Sequence, residues 1–162
     1  MVARSIPELE KIWVSLEHSK RFSDGLISIG GVGLLGVNGL IAIASSIFSL
    51  PVELLFEAYT AITALYLLGL AASARASPTT MIKVLFYIAV DAGLDLGLPV
   101  IGGVADAVLR APRLAAGAIQ KEIENTHWVD ESWRDVRAAG TYQQHIADMR
   151  ANRKKRVVFL RD

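Results

Sequence analysis

The sequence predicts an all-α integral membrane protein of two helical hairpins, about four membrane-embedded helices, with amphipathic helices at the N- and C-termini. Three observations carry that prediction. Between Asp24 and Glu53 the chain runs for 28 residues, Gly25–Val52, without a charge, and crossing about 30 Å of hydrocarbon takes roughly 20 helical residues. A second uncharged stretch, Ala58–Ala74, adds 17 residues. The positive charges are also uneven. Four (Arg4, Lys11, Lys20, Arg21) precede the first run, two (Arg75, Lys83) flank the middle connection, and eleven lie from Arg110 onward. Two hairpins entering from one side give that pattern, with both termini on the cytoplasmic or matrix-type side of the membrane. The central hairpin of a water-soluble helical bundle is the competing reading.

Composition bounds the function. At 162 residues the chain has the length of about one domain. Seventeen basic residues against 16 acidic ones leave a net charge of +1, so bulk charge argues for no acidic partner and no nucleic acid is expected. With 52% hydrophobic residues and a mean hydropathy of +0.39 the chain is too apolar to be disordered. Cysteine is absent, which removes disulfides, thiolate metal sites and Cys nucleophiles together. The first 24 residues lack an apolar core and contain Glu8, Glu10 and Glu17, so neither a secretory signal nor an acid-poor transit peptide is expected.

Residues 1–23 read as an amphipathic helix. Ser5-Ile6-Pro7-Glu8 fits a capping box, and Ile6, Leu9, Trp13 and Leu16 form a helical stripe. Residues 24–76 read as the first hairpin, with helices Gly25–Ser49 and Val52–Ala74 joined at Pro51 and Glu53 in the first turn of the second. Residues 77–120 form the second. Ser77-Pro78 opens a helix that continues to Leu98, and a 13-residue piece from Pro99 to Ala111 follows, ended or kinked by Pro112. That piece spans only about 20 Å, so this hairpin is kinked or re-entrant. Residues 121–162 read as a polar, basic tail, with Trp128 and Trp133 either at headgroup level or buried against the protein.

Gly30, Gly33, Gly36, Gly39 and Ala42 recur every third residue with Asn38 among them, a small-residue face suited to close helix packing. The same stretch holds Gly31-Val-Gly33-Leu-Leu-Gly36. The residues after Gly36 are apolar on all sides, Glu57 lies inside a helical pattern and no β-α-β alternation follows, so a dinucleotide site is not expected. Lys83, Tyr87, Asp91 and Asp95 recur every four residues along one helix face. Asp91, Asp95, Asp106 and Arg110 are ionisable residues within apolar sequence, where such groups are paired or functional. No catalytic set emerges. His18, His127 and His145 show no metal-ligand spacing, and neither a metal nor a cofactor is expected. The run Arg153-Lys154-Lys155-Arg156 reads as solvated charge rather than an anion contact.

The segments Val84-Leu85-Phe86-Tyr87-Ile88-Ala89-Val90-Asp91, Leu98-Pro99-Val100-Ile101-Gly102 and Ala105-Asp106-Ala107-Val108-Leu109-Arg110-Ala111 resemble the small membrane proteins of domain of unknown function 4112, found in prokaryotes and fungi. Asp91, Pro99, Gly102, Asp106 and Arg110 match that pattern, whereas Gly103 stands where the family has Asp and Pro112 where it has Asn. The resemblance implies a membrane location and supplies no activity or cofactor. The function expected is therefore a non-catalytic accessory or scaffolding subunit, with membrane lipids, other membrane-protein subunits or a second copy as partners. The alternative is a small channel or proton-translocating component using Asp91, Asp95 and Asp106.

Overall fold

A computed structural model describes residues 2–23, 27–29, 32–35, 37–49, 51–93 and 111–162. In chain order these form α1 (Ile6–Ser23), β1 (Ile27–Ile29), β2 (Val32–Leu35), α2 (Val37–Phe48), α3 (Val52–Ser73) and α4 (Pro78–Gly93). After them come α5 (Ala111–Glu124), β3 (Thr126–Val129), α6 (Trp133–Ala138), α7 (Tyr142–Ala151) and β4 (Arg156–Phe159). The chain is mostly helical, as expected, with two small two-stranded sheets added.

The α1 stripe is real but rotated. Leu9, Ile12 and Leu16 are buried, whereas Ile6 is exposed and Trp13 only half-buried. Glu8 does reach back past the helix start, accepting the Arg4 N–H at 2.8 Å.

The expected continuous helix Gly25–Ser49 requires correction. β1 and β2 pair antiparallel, with Ile29 opposite Val32 and Ile27 opposite Leu35, and the helix begins only at Val37. Two short β-prone runs separated by Gly30-Gly31 carry the sequence signature of a hairpin, and each glycine disfavours a helix by about 1 kcal/mol. Gly33 therefore lies on a strand, while Asn38, Gly39 and Ala42 lie on α2. Gly30 and Gly36 lie outside the described residues.

The α2–α3 hairpin around Pro51 is present, and α3 matches its expected bounds within a residue. It ends in a Schellman turn. Ala76 N–H donates to Ala71 O at 2.9 Å, Arg75 N–H to Ala72 O at 3.0 Å, and Arg75 adopts φ 48°. Glycine normally takes that left-handed position; here Arg75 holds it, and its guanidinium bonds the carbonyls of Phe159, Leu160 and Asp162 at 2.9–3.0 Å. Ser77 caps α4 as expected, its Oγ accepting the Thr80 N–H at 3.3 Å. The extension of α4 to Leu98 and the piece from Pro99 onward to 110 lie outside the described residues. Pro112 sits at the second position of α5 instead of ending a helix; a first turn needs no N–H from it.

Among the described residues no helix is long and apolar enough to cross a membrane, and this overturns the multi-pass placement. At 12 and 16 residues, α2 and α4 reach only about 18 and 24 Å. The 22 residues of α3 are long enough, but Glu53, Glu57, Tyr59, Thr60, Thr63 and Tyr66 punctuate them. The length of an uncharged run measures composition, whereas spanning requires that the run fold as one helix.

The segment expected as a basic tail is instead a β3–α6–α7–β4 unit. β3 and β4 pair in parallel, Thr126 with Arg156 through Val129 with Phe159. Ser132 caps α6, its Oγ accepting the Asp135 N–H at 3.2 Å. Trp128 packs against the core and donates its Nε1–H to Ile123 O at 3.0 Å, whereas Trp133 stays exposed beneath Arg137. The core itself joins Leu9 and Leu16 of α1, Leu67 and Ala71 of α3, Val84 of α4, Ala115, Ala116 and Ile119 of α5, and Leu160. Alanines on the buried face of α5 leave room for α1, α3 and α4 to pack around it.

Candidate functional site

The packing of α4 on α5 leaves a cleft of about 710 Å³ where α1 and the starts of β3 and β4 close around it. Its wall brings together Lys20 of α1, Lys83 of α4, Arg113 and Lys121 of α5, and the neighbouring pair Lys155 and Arg156. Glu122 is the single carboxylate among the described residues lining it. The capped start of α4, with Ser77, Thr79 and Thr80, opens into the same space, and Tyr87, Leu114 and Ala118 add apolar wall.

Glu122 and Arg156 form the cleft's rigid floor. Glu122 Oε1 accepts the Ser77 N–H at 2.8 Å and meets Arg156 Nη1 at 3.1 Å. Burial works to raise the Glu122 pKa, but hydrogen bonds from Thr80 and Ser77 and the Arg156 charge outweigh it, leaving the carboxyl below its ordinary 4.5. Burial also draws the Arg156 guanidinium below its ordinary value, against the pull of Glu122. Arg156 further donates from Nε to Thr126 Oγ1 at 2.9 Å and from Nη2 to Arg75 O at 2.7 Å. Thr126 in turn donates to Glu122 O at 2.8 Å. The floor is thus held by at least four elements, which fixes the cleft's shape before any ligand arrives.

A concave site carrying six cations and one acid focuses a positive potential on its interior. The first turn of α4 adds the partial positive charge of a helix N-terminus. Together these suit a small polyanion.

The expected site residues sit elsewhere or beyond view. Lys83 and Tyr87, the first half of the four-residue repeat, do line the cleft, whereas Asp91 lies in the last turn of α4. Asp95, Asp106 and Arg110 lie outside the described residues, as do Pro99 and Gly102. The basic run read as solvated charge splits: Lys155 and Arg156 face the cleft, and Lys154 Nζ bonds Glu124 O. Lys20, Arg113 and Lys121 carried no individual signal, because nothing local places residues so distant in sequence on one wall. No family model, curated protein or solved structure matches this chain.

Proposed function

We propose that the protein is a non-catalytic binding module whose cleft holds a small phosphorylated molecule. The observation that carries this is the wall of six cationic side chains gathered with a single carboxylate, Glu122 of α5, beside the start of α4. A cavity of about 710 Å³ falls within the range of small-molecule sites, and Tyr87 and Leu114 offer apolar surface beside the charges. Titration of the purified chain with pyrophosphate should give saturable binding that weakens as salt is raised. Lys83→Glu with Lys121→Glu should weaken it roughly tenfold or more, since each reversal replaces an attraction with a repulsion. Neither substitution touches the Glu122–Arg156 floor, so the fold should survive. Non-saturable binding, or equal affinity in the double variant, would refute the proposal.

Exposed apolar side chains favour a second reading, an accessory role against a larger protein assembly. Ile62 and Leu65 on α3 and Ile82, Leu85 and Phe86 on α4 are 49–71% exposed, at spacings that place each set on one helix face. Clustered exposed apolar groups mark contact surfaces. On this reading the purified chain self-associates or captures a stable partner through that face, and Leu85→Glu with Phe86→Glu abolishes the association. A chain that stays monomeric and recovers no partner argues against it. Proton translocation would require a membrane crossing, which no helix among the described residues is long and apolar enough to make.

A further inference from the structure

We propose that His127, His145 and Asp148 form a zinc-class metal site between β3 and α7. No local spacing announces it, because the two histidines stand 18 residues apart and on different kinds of element. The fold brings them together in two steps. Alternation along β3 sends Trp128 toward the helical core, so His127 points to the opposite face of the strand. There α7 packs over β3 and β4, and the His127 and His145 rings meet with centroids 5.8 Å apart, tilted by 45°. Asp148 follows His145 by three residues and shares its helix face. One ligand atom from each of the three residues can be chosen so that all lie within 4.8 Å of one another.

That geometry is close to a coordination shell. Zinc bonds of about 2.0–2.2 Å to nitrogen and oxygen put tetrahedral ligand atoms roughly 3.3 Å apart. The three side chains therefore need to close by no more than about 1.5 Å, within reach of small χ rotations. The donor set is selective by type. Two imidazoles and a carboxylate suit zinc and its transition-metal neighbours, whereas calcium and magnesium take oxygen ligands. Phe159, edge-on to His145 at 6.3 Å, supplies an apolar wall that orients the imidazole. Three protein ligands leave a fourth position for water or an incoming group, the arrangement of open zinc sites. The site shares no residue with the basic cleft, so it stands independently of the proposal above.

Zinc titrated into the purified chain should bind with one-to-one stoichiometry and raise the unfolding temperature, because the ion binds the folded state. Cobalt(II) in its place should give the visible absorption of a tetrahedral site. His145→Ala and Asp148→Asn should each weaken zinc by about 30-fold or more, since even residues that only support a ligand contribute ten- to a hundred-fold. Both positions lie on α7, which buries no residue fully, so the variants should keep the parent's circular dichroism. His18→Ala, in α1, should leave affinity unchanged. Binding that persists undiminished in His145→Ala and Asp148→Asn, or that never saturates at one equivalent, overturns the site.

Discussion

Arg156→Ala is expected to destabilise the protein by about 2–4 kcal/mol at neutral pH, among the largest losses available from a single polar substitution. The side chain of Glu122 is only 11% exposed and that of Arg156 27%. Truncating the arginine leaves a nearly buried carboxylate with hydrogen bonds but without its ion-pair partner, and it also strips partners from Thr126 Oγ1 and Arg75 O. A fully buried pair would cost about 3–5 kcal/mol; the partial exposure of Arg156 lets water replace some of the loss and sets the lower range. The effect carries a pH signature. The Glu122 pKa is lowered in the folded state, so its contribution is fully present above its ordinary 4.5 and is lost as pH falls through the lower folded value. The gap between parent and variant in urea midpoint should therefore be widest near neutrality and narrow in acid. Arg156→Lys should fall between the two, keeping a charge but not the fork that spans Glu122, Thr126 and Arg75. Coincident urea curves for parent and Arg156→Ala would show that this network contributes nothing to stability.

That network also explains why the left-handed position two residues beyond α3 is arginine. Left-handed backbone outside glycine costs of order 1 kcal/mol or more, and Arg75 offsets it with three charge-assisted bonds to the last carbonyls of the chain. Arg156 then returns a bond to Arg75 O. The α3–α4 turn, the last turn of α5 and the C-terminal segment are locked to one another, and the cleft is what lies over the lock. Strain at Arg75 and charge at Arg156 are two ends of one structural solution.

Local signals in the sequence were legible and non-local ones were not. The Ser77 cap, the bounds of α3 and the burial of Leu9 and Leu16 follow from neighbours within a turn or two, and the structure agrees with them. The β1–β2 hairpin is hidden because continuous apolar residues look alike whether they form strand or helix; the discriminating feature is the pair Gly30-Gly31, of which Gly30 also fits the small-residue face and Gly31 the G-x-G-x-x-G pattern. β3 and β4 are four residues each and pair across a 30-residue separation, so neither offers a period long enough to detect. The cleft had half a signal in Lys83 and Tyr87, spaced by one helical turn, but Lys20, Arg113 and Lys155 join them only through tertiary packing. His127 and His145 are the same case on a smaller scale. The membrane expectation differs in kind: an uncharged run is a matter of composition, and the described part of Gly25–Ser49 divides into β1, β2 and α2 rather than forming one helix, while the buried core draws on α1, α3, α4 and α5.

Leu16→Ala tests that last point directly, and it is expected to cost about 3–5 kcal/mol. Leu16 is fully buried, in the same cluster as Leu67, Ala115, Ala116 and Ile119. These partners come from two other helices, α3 and α5, so the wall cannot readily collapse into the space that truncation leaves, and the loss includes a cavity beyond the transfer of the missing carbons. For a chain of this length that corresponds to a fall in unfolding temperature of roughly 6–20 °C. Val14, two residues away and 51% exposed, provides the contrast: Val14→Ala should stay within about 0.5–1 kcal/mol of the parent. A helix merely flanking a membrane hairpin would lose little at either position, because its apolar stripe would have no fixed partner. A large loss at Leu16 beside a small one at Val14 requires instead that α1 be an integral wall of the core, with its buried side packed on α5 and its last turns presenting Lys20 to the cleft. Similar small losses at both would place α1 outside the folded unit and remove one wall of the site with it.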